Sequence, residues 1–150
     1  MEARIKFEDA NKGAMDGLFK TGMYVKKSGL DPLLQELIKF RASQINDCAF
    51  CLDMHWKDAI HLGEDPQRLY SLSAWRECPY YSEAERAVLA YTEEATAMNV
   101  SDETFNNLAK HFSKAQIVDI TLAVVTINSW NMLNRAFHTV PGGYVVGSLG

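Results

Sequence analysis

Signals for the starts of helices recur along the whole chain, and apolar residues at helical spacing follow them. Ser82 with Glu85, and Ser113 with Gln116, have the spacing of a capping box, in which each side chain bonds the backbone amide of the other residue. An aspartate–proline pair at 31–32 fits an N-cap followed by proline at the first helical position. No segment has a convincing strand pattern. The sequence therefore predicts an all-α fold.

The predicted helices account for most of the chain and fit a single domain covering residues 1–150. The segment after Ser113 is rich in β-branched residues, which permit a strand on propensity alone, but it is too long for one strand and contains no turn residue. A chain of 150 residues buries roughly two thirds of its unfolded surface without disulfide or metal staples. We expect about six to seven helices, at residues 9–28, 32–45, 46–63, 66–75, 82–98, 101–111 and 113–137.

Composition and charge exclude several classes of protein. An apolar fraction of 47% with 23% charged residues is ordinary for a folded soluble protein. The net charge of -4 comes without the clustered Lys and Arg of nucleic-acid binders. The N-terminus has no secretory signal pattern, and the most apolar stretch, 117–127, is too short to span a bilayer core of about 30 Å. We therefore expect a cytoplasmic protein with no nucleic-acid or membrane partner.

The strongest chemical signal is Cys48-Ala49-Phe50-Cys51 followed by His55. Residues three and four apart lie on one face of a helix, so both thiols and the imidazole project together. The pair Asn46-Asp47 is predicted to cap this helix, which places Cys48 in the first turn, where two thiols three residues apart can form a disulfide. Helix N-terminal amides and an adjacent imidazole each stabilise the reactive thiolate. The spacing alone leaves open which thiol attacks.

Two simpler interpretations compete with a redox pair. Buried cysteines often act as small apolar residues, and His55 can be a hydrogen-bonded core histidine. Alternatively, two Cys and one His are three good zinc ligands, with a fourth from Cys78, His61 or Glu36. In a reducing compartment, paired cysteines are more often catalytic or metal-binding than structural, and an odd count of three argues against a disulfide framework. By its position alone, Glu36 is predicted to be a solvated residue favoured by the helix dipole.

Other polar residues receive simpler predictions. Asn128, Asn131 and Asn134 recur every three residues and form a polar stripe that faces either a subunit contact or the active-site pocket. Cys78, which precedes Pro79, is predicted to be a loop or helix-end thiol without function. The remaining histidines are predicted to lie on the surface: His61, His111 and His138.

The run from Glu36 to Cys51, continued by Leu52-Asp53-Met54-His55, resembles the AhpD-like alkylhydroperoxidase branch of the carboxymuconolactone decarboxylase family. Further similarity lies in Trp75-Arg76-Glu77 and Asn128-Ser129-Trp130-Asn131, and it extends over residues 30–143. The resemblance implies an all-helical fold that assembles into homotrimers or homohexamers. It also implies peroxide reduction or thiol–disulfide exchange, with electrons from a partner thiol reductant. The decarboxylase branch lacks this cysteine pair.

The resemblance also implies roles for individual residues. Cys51 attacks the peroxide, Cys48 resolves the product as a disulfide, and Glu36 and His55 relay protons, as such a reaction needs both a base and an acid. The family pattern has a further histidine between the cysteines, where this chain has Phe50, which implies a shorter relay.

We therefore predict an antioxidant thiol peroxidase or disulfide reductase that uses no metal or other cofactor. Its predicted partners are a peroxide or disulfide substrate and a thiol reductant. The identity of both, and the choice between trimer and hexamer, stay open. A non-catalytic oligomeric binding or scaffold protein of the same fold is the alternative.

Overall fold

Seven α-helices form the domain in the computed structural model, which describes residues 1–148. No strand occurs in this range, which confirms the predicted all-α fold. None of its helices is both long enough and apolar enough to cross a membrane. Two short 3-10 helices, Phe7–Asp9 and Leu72–Glu77, precede the first and follow the fourth α-helix. The α-helices are α1 (Asp16–Lys27), α2 (Pro32–Ile45), α3 (Ala49–His61), α4 (Pro66–Ser71), α5 (Glu83–Thr96), α6 (Asp102–Leu108) and α7 (Lys114–Phe137).

The predicted capping signals form the helix starts. Both capping boxes, at the beginnings of α5 and α7, are complete. At the beginning of α2, the Asp31 side chain accepts a hydrogen bond of 2.8 Å from the amide of Leu33. α7 is helical throughout despite its β-branched residues, because it packs against α1, α2 and α5. Tertiary packing here outweighs intrinsic strand propensity.

Several helix boundaries differ from the prediction, most of all at α1 and α4, and α6 ends at Leu108 rather than at residue 111. The first α-helix begins at Asp16 rather than at residue 9, because Gly13 turns the chain with a φ of 83°, which an α-helix cannot contain. The segment predicted as one helix over 66–75 divides into α4 and a 3-10 helix, with Ala74 outside helical geometry at a φ of -115°. Trp75 follows this distorted turn and packs into the core.

α2 lies at the centre of the fold, in contact with α3, α5 and α7. One core cluster fills the space among α1, α2, α5 and α7, and a second lies among α2, α3, α4 and α5. The third and smallest cluster consists of Ala42, Cys48, Cys51 and Ile127, from α2, the start of α3 and α7. The two cysteines therefore lie in the interior of the domain, where these three helices meet.

Segments near the two ends of the described chain fold back onto the helices. The ring of Phe7 packs edge-on against Trp130 of α7, with ring centroids 5.9 Å apart. Near the other end, Lys57 Nζ donates to the carbonyls of Gly142 and Tyr144 at 3.2 and 3.1 Å. These contacts bring Phe7 and Tyr144, which are far apart in the sequence, to the walls of one cavity.

We expect Leu89→Ala to lower the free energy of unfolding by about 2–5 kcal/mol, because Leu89 is fully buried in the cluster shared by α2, α3, α4 and α5. Leu62→Ala is the matched control, since Leu62 is 46% exposed at the end of α3. The control should change the free energy of unfolding by less than about 0.5 kcal/mol. Urea unfolding followed by circular dichroism measures both variants. Equal effects of the two substitutions would contradict this packing.

Candidate active site

Cys48 and Cys51 are joined by a disulfide at the start of α3, with their Cα atoms 5.3 Å apart, and Cys78 is free. The predicted cap is corrected, because Cys48 itself is the N-cap of α3 and Cys51 lies in the first turn. Asp47 turns the chain into the helix with a φ of 51°, a left-handed conformation in which aspartate is enriched. The pairing expected from the spacing of the two thiols is therefore confirmed.

Asn46, which was predicted to share in the cap, instead connects this turn to α7. Its Nδ2 donates to Oδ1 of Asn128 at 2.7 Å and to Oδ1 of Asn131 at 2.9 Å. Asn131 in turn donates to Ser43 Oγ on α2 at 3.0 Å. Two of the three asparagines in the polar stripe therefore hold the turn that precedes the cysteine pair.

Asn134, the third member of the stripe, contacts the disulfide itself. Its Nδ2 lies 3.6 Å from Cys51 Sγ and also donates to the Trp130 carbonyl at 2.9 Å. Asn134 is 5% exposed and lines the cavity described below. The sequence left open whether the stripe faces a subunit or the active-site pocket, and it faces the site.

A buried imidazole–carboxylate pair lies one helical turn beyond Cys51. His55 Nδ1 is 2.8 Å from Glu36 Oε2, and Lys39 Nζ donates to Glu36 Oε1 at 2.7 Å. Glu36 is 6% exposed, so the interpretation of this residue as a solvated helix glutamate is wrong. The reason is that α2 is surrounded by α3, α5 and α7 and buries several of its polar residues.

The protonation of this pair follows from its environment. Burial raises the pKa of Glu36, but attraction to His55, the hydrogen bond with His55 and the charge of Lys39 outweigh burial and bring the pKa to about 2. An ionised carboxylate only accepts hydrogen bonds, so His55 Nδ1 carries the hydrogen and donates it. His55 Nε2 has no hydrogen-bond partner among residues 1–148.

A cavity of about 610 Å³ lies beside the pair. Its volume falls in the usual range for small-molecule sites, and its walls are mainly apolar and aromatic. The disulfide is itself buried, but Phe50 and Asn134, which contact it, reach the cavity, and so does His55. Further apolar walls come from Phe7, Phe19, Met54, Ile127 and Trp130, and further polar walls from Lys39, Asp58 and Tyr144.

Sequence reasoning missed three polar residues of this site. Lys39 had a local signal, because a residue three positions after Glu36 shares its helix face. Asp58 had a similar signal, since it lies three positions after His55. Tyr144 had none, because its hydroxyl donates to Asp58 Oδ1 at 2.8 Å across a sequence separation of 86 residues.

The ligands considered for a zinc site on the cysteine face are not gathered in this structure. The sulfurs of Cys48 and Cys51 are bonded to each other, and His61 is exposed at the end of α3. Cys78 follows the second 3-10 helix, where its Sγ lies 3.5 Å from the Ala74 carbonyl. As predicted, His61, His111 and His138 all lie on the surface.

A different group within residues 1–148 has the spacing of metal ligands. Donor atoms of Glu36, His55 and Asp58 all lie within 4.8 Å of one another. Lys39 already places a positive charge 2.7 Å from the Glu36 carboxylate, and like charges repel a second cation at such distances. This arrangement therefore fits a proton relay better than a metal centre.

Residues 12–94, more than half of the chain, match the sequence profile of the Carboxymuconolactone decarboxylase family. The chain belongs to this family. A relative, the uncharacterized protein YdfG of Bacillus subtilis (strain 168), is 39% identical over 139 residues, which cover 91% of this chain and 95% of YdfG.

Solved structures place the domain among the AhpD-like members of the family. A protein of unknown function from Agrobacterium tumefaciens, described as a candidate antioxidant defence protein AhpD, has a TM-score of 0.90 and 39% identity over 95% of this chain and 100% of that chain. A variant of the debrominase Bmp8 in complex with 2,3,4-tribromopyrrole shares the fold at a TM-score of 0.76 and 20% identity, over 87% and 70% of the two chains. The fold alone therefore does not determine the reaction.

Glu36→Gln should flatten the acid dependence of stability. The pKa of Glu36 is about 2 in the folded protein against an ordinary value of 4.5, so the ionised carboxylate contributes stability above pH 4.5 that is lost as the pH falls towards 2. This contribution is on the order of 3 kcal/mol. Urea unfolding at several pH values through this window should show a smaller loss for Glu36→Gln than for the wild type. Glu83→Gln, on the exposed first turn of α5, is the control and should follow the wild type. Equal losses of the free energy of unfolding in all three proteins would contradict the buried ion pair.

Proposed function

We propose that this protein is a thiol peroxidase that reduces organic hydroperoxides and is itself reduced by a thiol partner in the cytoplasm. The observation that carries the proposal is the meeting of three features at one place. These are a bonded cysteine pair, the buried contact between His55 and Glu36, and an apolar cavity. Membership of the family and likeness to AhpD-like structures support the same chemistry.

The first half of the proposed cycle oxidises Cys51. Its thiolate attacks the outer oxygen of the hydroperoxide, the O–O bond breaks, and the alkoxide leaves and takes a proton to become an alcohol. Cys51 is left as a sulfenic acid. His55 supplies the proton from Nε2, while ionised Glu36 holds Nδ1 and stabilises the charged imidazole. The choice of Cys51 over Cys48 follows the family resemblance.

The second half forms the disulfide and then reduces it. The Cys48 sulfur attacks the sulfenic sulfur of Cys51, water leaves, and the two sulfurs are joined as they are here. A thiol reductant then supplies two electrons by thiol–disulfide exchange and restores both thiols. With Phe50 in place of the family's additional histidine, the proposed relay consists of His55 and Glu36.

The walls of the cavity favour a substrate with an apolar body. Phe7, Phe19, Met54 and Trp130 offer aromatic and thioether surface, whereas hydrogen peroxide has no apolar surface to bury. Asn134, which contacts Cys51, and His55, one helical turn after Cys51 on α3, are polar groups of the cavity that suit the reactive end of the molecule. An organic hydroperoxide therefore matches the lining better than hydrogen peroxide.

A non-catalytic scaffold is the main alternative, and the buried polar atoms argue against it. Leaving a buried polar atom without a partner costs about 1–3 kcal/mol. His55 Nε2 and Asn134 Oδ1 are both in this condition within the described residues, and both belong to residues that line the cavity. A purely structural protein gains nothing from these atoms, whereas an enzyme uses them on its substrate.

Cys51→Ser should abolish the reduction of cumene hydroperoxide by dithiothreitol. Pre-reduced Cys48→Ser, given peroxide without dithiothreitol, should consume about one equivalent and stop with Cys51 as a sulfenic acid, because no second cysteine resolves it. The control is Cys78→Ser, which removes the free thiol outside the pair and should turn over like the wild type. Peroxide consumption is followed over time, and the sulfenic acid is trapped with dimedone and located by mass spectrometry. Sustained turnover by Cys51→Ser would refute the assignment.

We also propose that the chain works as a homo-oligomer, a trimer or hexamer, as the family resemblance implies. α7 exposes an apolar side chain at every seventh position, since Val118, Val125 and Met132 are 57%, 52% and 75% exposed. Seven residues complete nearly two helical turns, so the three side chains form one stripe. Such a stripe suits packing against a second copy of the chain.

Met132→Glu should weaken this assembly, because it adds a charge to the apolar stripe. Sedimentation of the wild type should give about three or six times the chain mass of 16.9 kDa, and the variant should shift towards the monomer. Met98→Glu is the control, since Met98 is 93% exposed and lies in the turn between α5 and α6. A wild-type particle of 16.9 kDa at micromolar concentration would overturn the proposal.

A further inference from the structure

Asn134 is a buried polar residue that has no role in the disulfide or in the proposed proton relay. It projects from α7 towards the start of α3, and its Nδ2 lies 3.6 Å from Cys51 Sγ. The side chain is 5% exposed, and its Oδ1 has no hydrogen-bond partner within residues 1–148. A buried amide that is only half satisfied costs free energy unless another molecule or another state of the protein completes it.

The orientation of this amide is determined by its neighbours. Its Nδ2 donates to the Trp130 carbonyl at 2.9 Å, and a carbonyl oxygen cannot donate, so the nitrogen must occupy this position. A carboxamide nitrogen carries two hydrogens. One is used by Trp130, and the other is directed to the sulfur of Cys51. Oδ1 is consequently the atom that remains for a ligand.

We propose that Asn134 holds the Cys51 thiolate in the reduced enzyme through Nδ2 and accepts the O–H of the hydroperoxide at Oδ1. A disulfide sulfur is a weak acceptor, whereas a hydrogen bond to an ionised sulfur is charge-assisted and stronger. The contact therefore gains strength when the disulfide is reduced. This inference deepens the proposed function and rests on it for the second role only.

The contact distinguishes the two cysteines in a way that the sequence could not. Cys48 is the N-cap of α3, but its side chain makes no capping hydrogen bond. Cys51 receives an N–H from Asn134 in addition to its place in the first helical turn. Donors aimed at one sulfur favour ionisation of that sulfur, and the thiolate is the nucleophile. The structure thus supplies its own reason for Cys51 as the attacking thiol.

The free acceptor suits the reactive end of a hydroperoxide. An ROOH molecule has one O–H donor, and its terminal oxygen is the atom that the thiolate attacks. Oδ1 and Nδ2 belong to one amide, so an O–H bonded to Oδ1 brings that oxygen close to the sulfur bonded to Nδ2. His55 lines the same cavity and leaves Nε2 for the departing oxygen.

The test measures ionisation of Cys51 directly, without peroxide. In a Cys48→Ser, Cys78→Ser background, Cys51 is the sole thiol, and the ultraviolet absorbance of its thiolate is titrated against pH. Asn134→Leu keeps a similar volume but removes the donor, so the midpoint should rise by about one pH unit, equal to a tenfold loss of thiolate at a given pH below the midpoint. Asn134→Asp should raise it further, because a carboxylate repels the thiolate. The ionisable groups beside His55, which include Glu36, Lys39, Asp58 and Tyr144, are the same in every variant.

Asn128→Leu is the matched control, because it removes another amide of the same stripe, one that bonds Asn46 and not Cys51. Its midpoint should equal that of the background protein, and circular dichroism verifies that each variant is helical. Asn134→Ala serves if Asn134→Leu does not fold, and it should also raise the midpoint. Unchanged midpoints in the Asn134 variants, or an equal rise in Asn128→Leu, would overturn the role of Nδ2.

The role of Oδ1 is tested separately, with thiols at positions 48 and 78 restored. At a pH where Cys51 is fully ionised in both proteins, Asn134→Leu should still raise the KM for cumene hydroperoxide several-fold, and an unchanged KM would overturn this role. A shifted midpoint in a protein that consumes no peroxide would leave the thiolate contact in place and refute the peroxidase activity. Turnover with an unshifted midpoint would support the peroxidase activity and refute the thiolate contact.

Discussion

The buried contact between Glu36 and His55 is the interaction on which the site depends. Glu36 lies on α2 and His55 on α3, so their hydrogen bond of 2.8 Å fixes these two helices against each other beside the cysteine pair. A carboxylate buried without a partner costs several kcal/mol. Here the imidazole takes one oxygen and the ammonium of Lys39 takes the other. The carboxylate is thereby kept ionised inside the protein. It engages one nitrogen of His55, and the other nitrogen has no partner within residues 1–148.

α7 positions the cysteines through hydrogen bonds, as α2 positions the imidazole. Asn131 and Asn128 hold the turn through Asn46, and Asn134 reaches the sulfur of Cys51. The amides are neutral, so they direct hydrogen bonds to the turn and the sulfur without adding a charge that the interior would have to compensate. The ionised groups that hold the imidazole, Glu36 and Lys39, thus lie on α2, and the neutral amides that hold the turn and the sulfur lie on α7. The imidazole and the Cys51 sulfur both project from α3, so α2 supports the first and α7 the second.

Local signals in the sequence predicted most of the fold and part of the site. Caps such as Ser113 and the spacing of Cys48 and Cys51 are contained in a few consecutive residues, and the structure has both as expected. The predicted start of α1 was wrong, because Gly13 interrupts an otherwise helical pattern of apolar residues. Glu36 could not be recognised as buried from its helix position alone, because its burial depends on three helices that surround α2. Only the family resemblance indicated that Glu36 is a candidate site residue, since the local pattern did not.

The part of the chain that matches the family profile ends well before the cavity is complete. Glu36, Cys48, Cys51 and His55 all lie within residues 12–94, so the proposed redox pair and relay belong to the shared portion of the domain. The walls formed by Phe7, Trp130, Asn134 and Tyr144 lie outside that range and come together only through tertiary contacts. The substrate space is therefore shaped partly by segments outside the matched range, whereas the cysteine pair and the proposed relay lie inside it. Because a debrominase also has this fold, the fold alone does not determine the substrate, and we expect these walls to take part in selecting it.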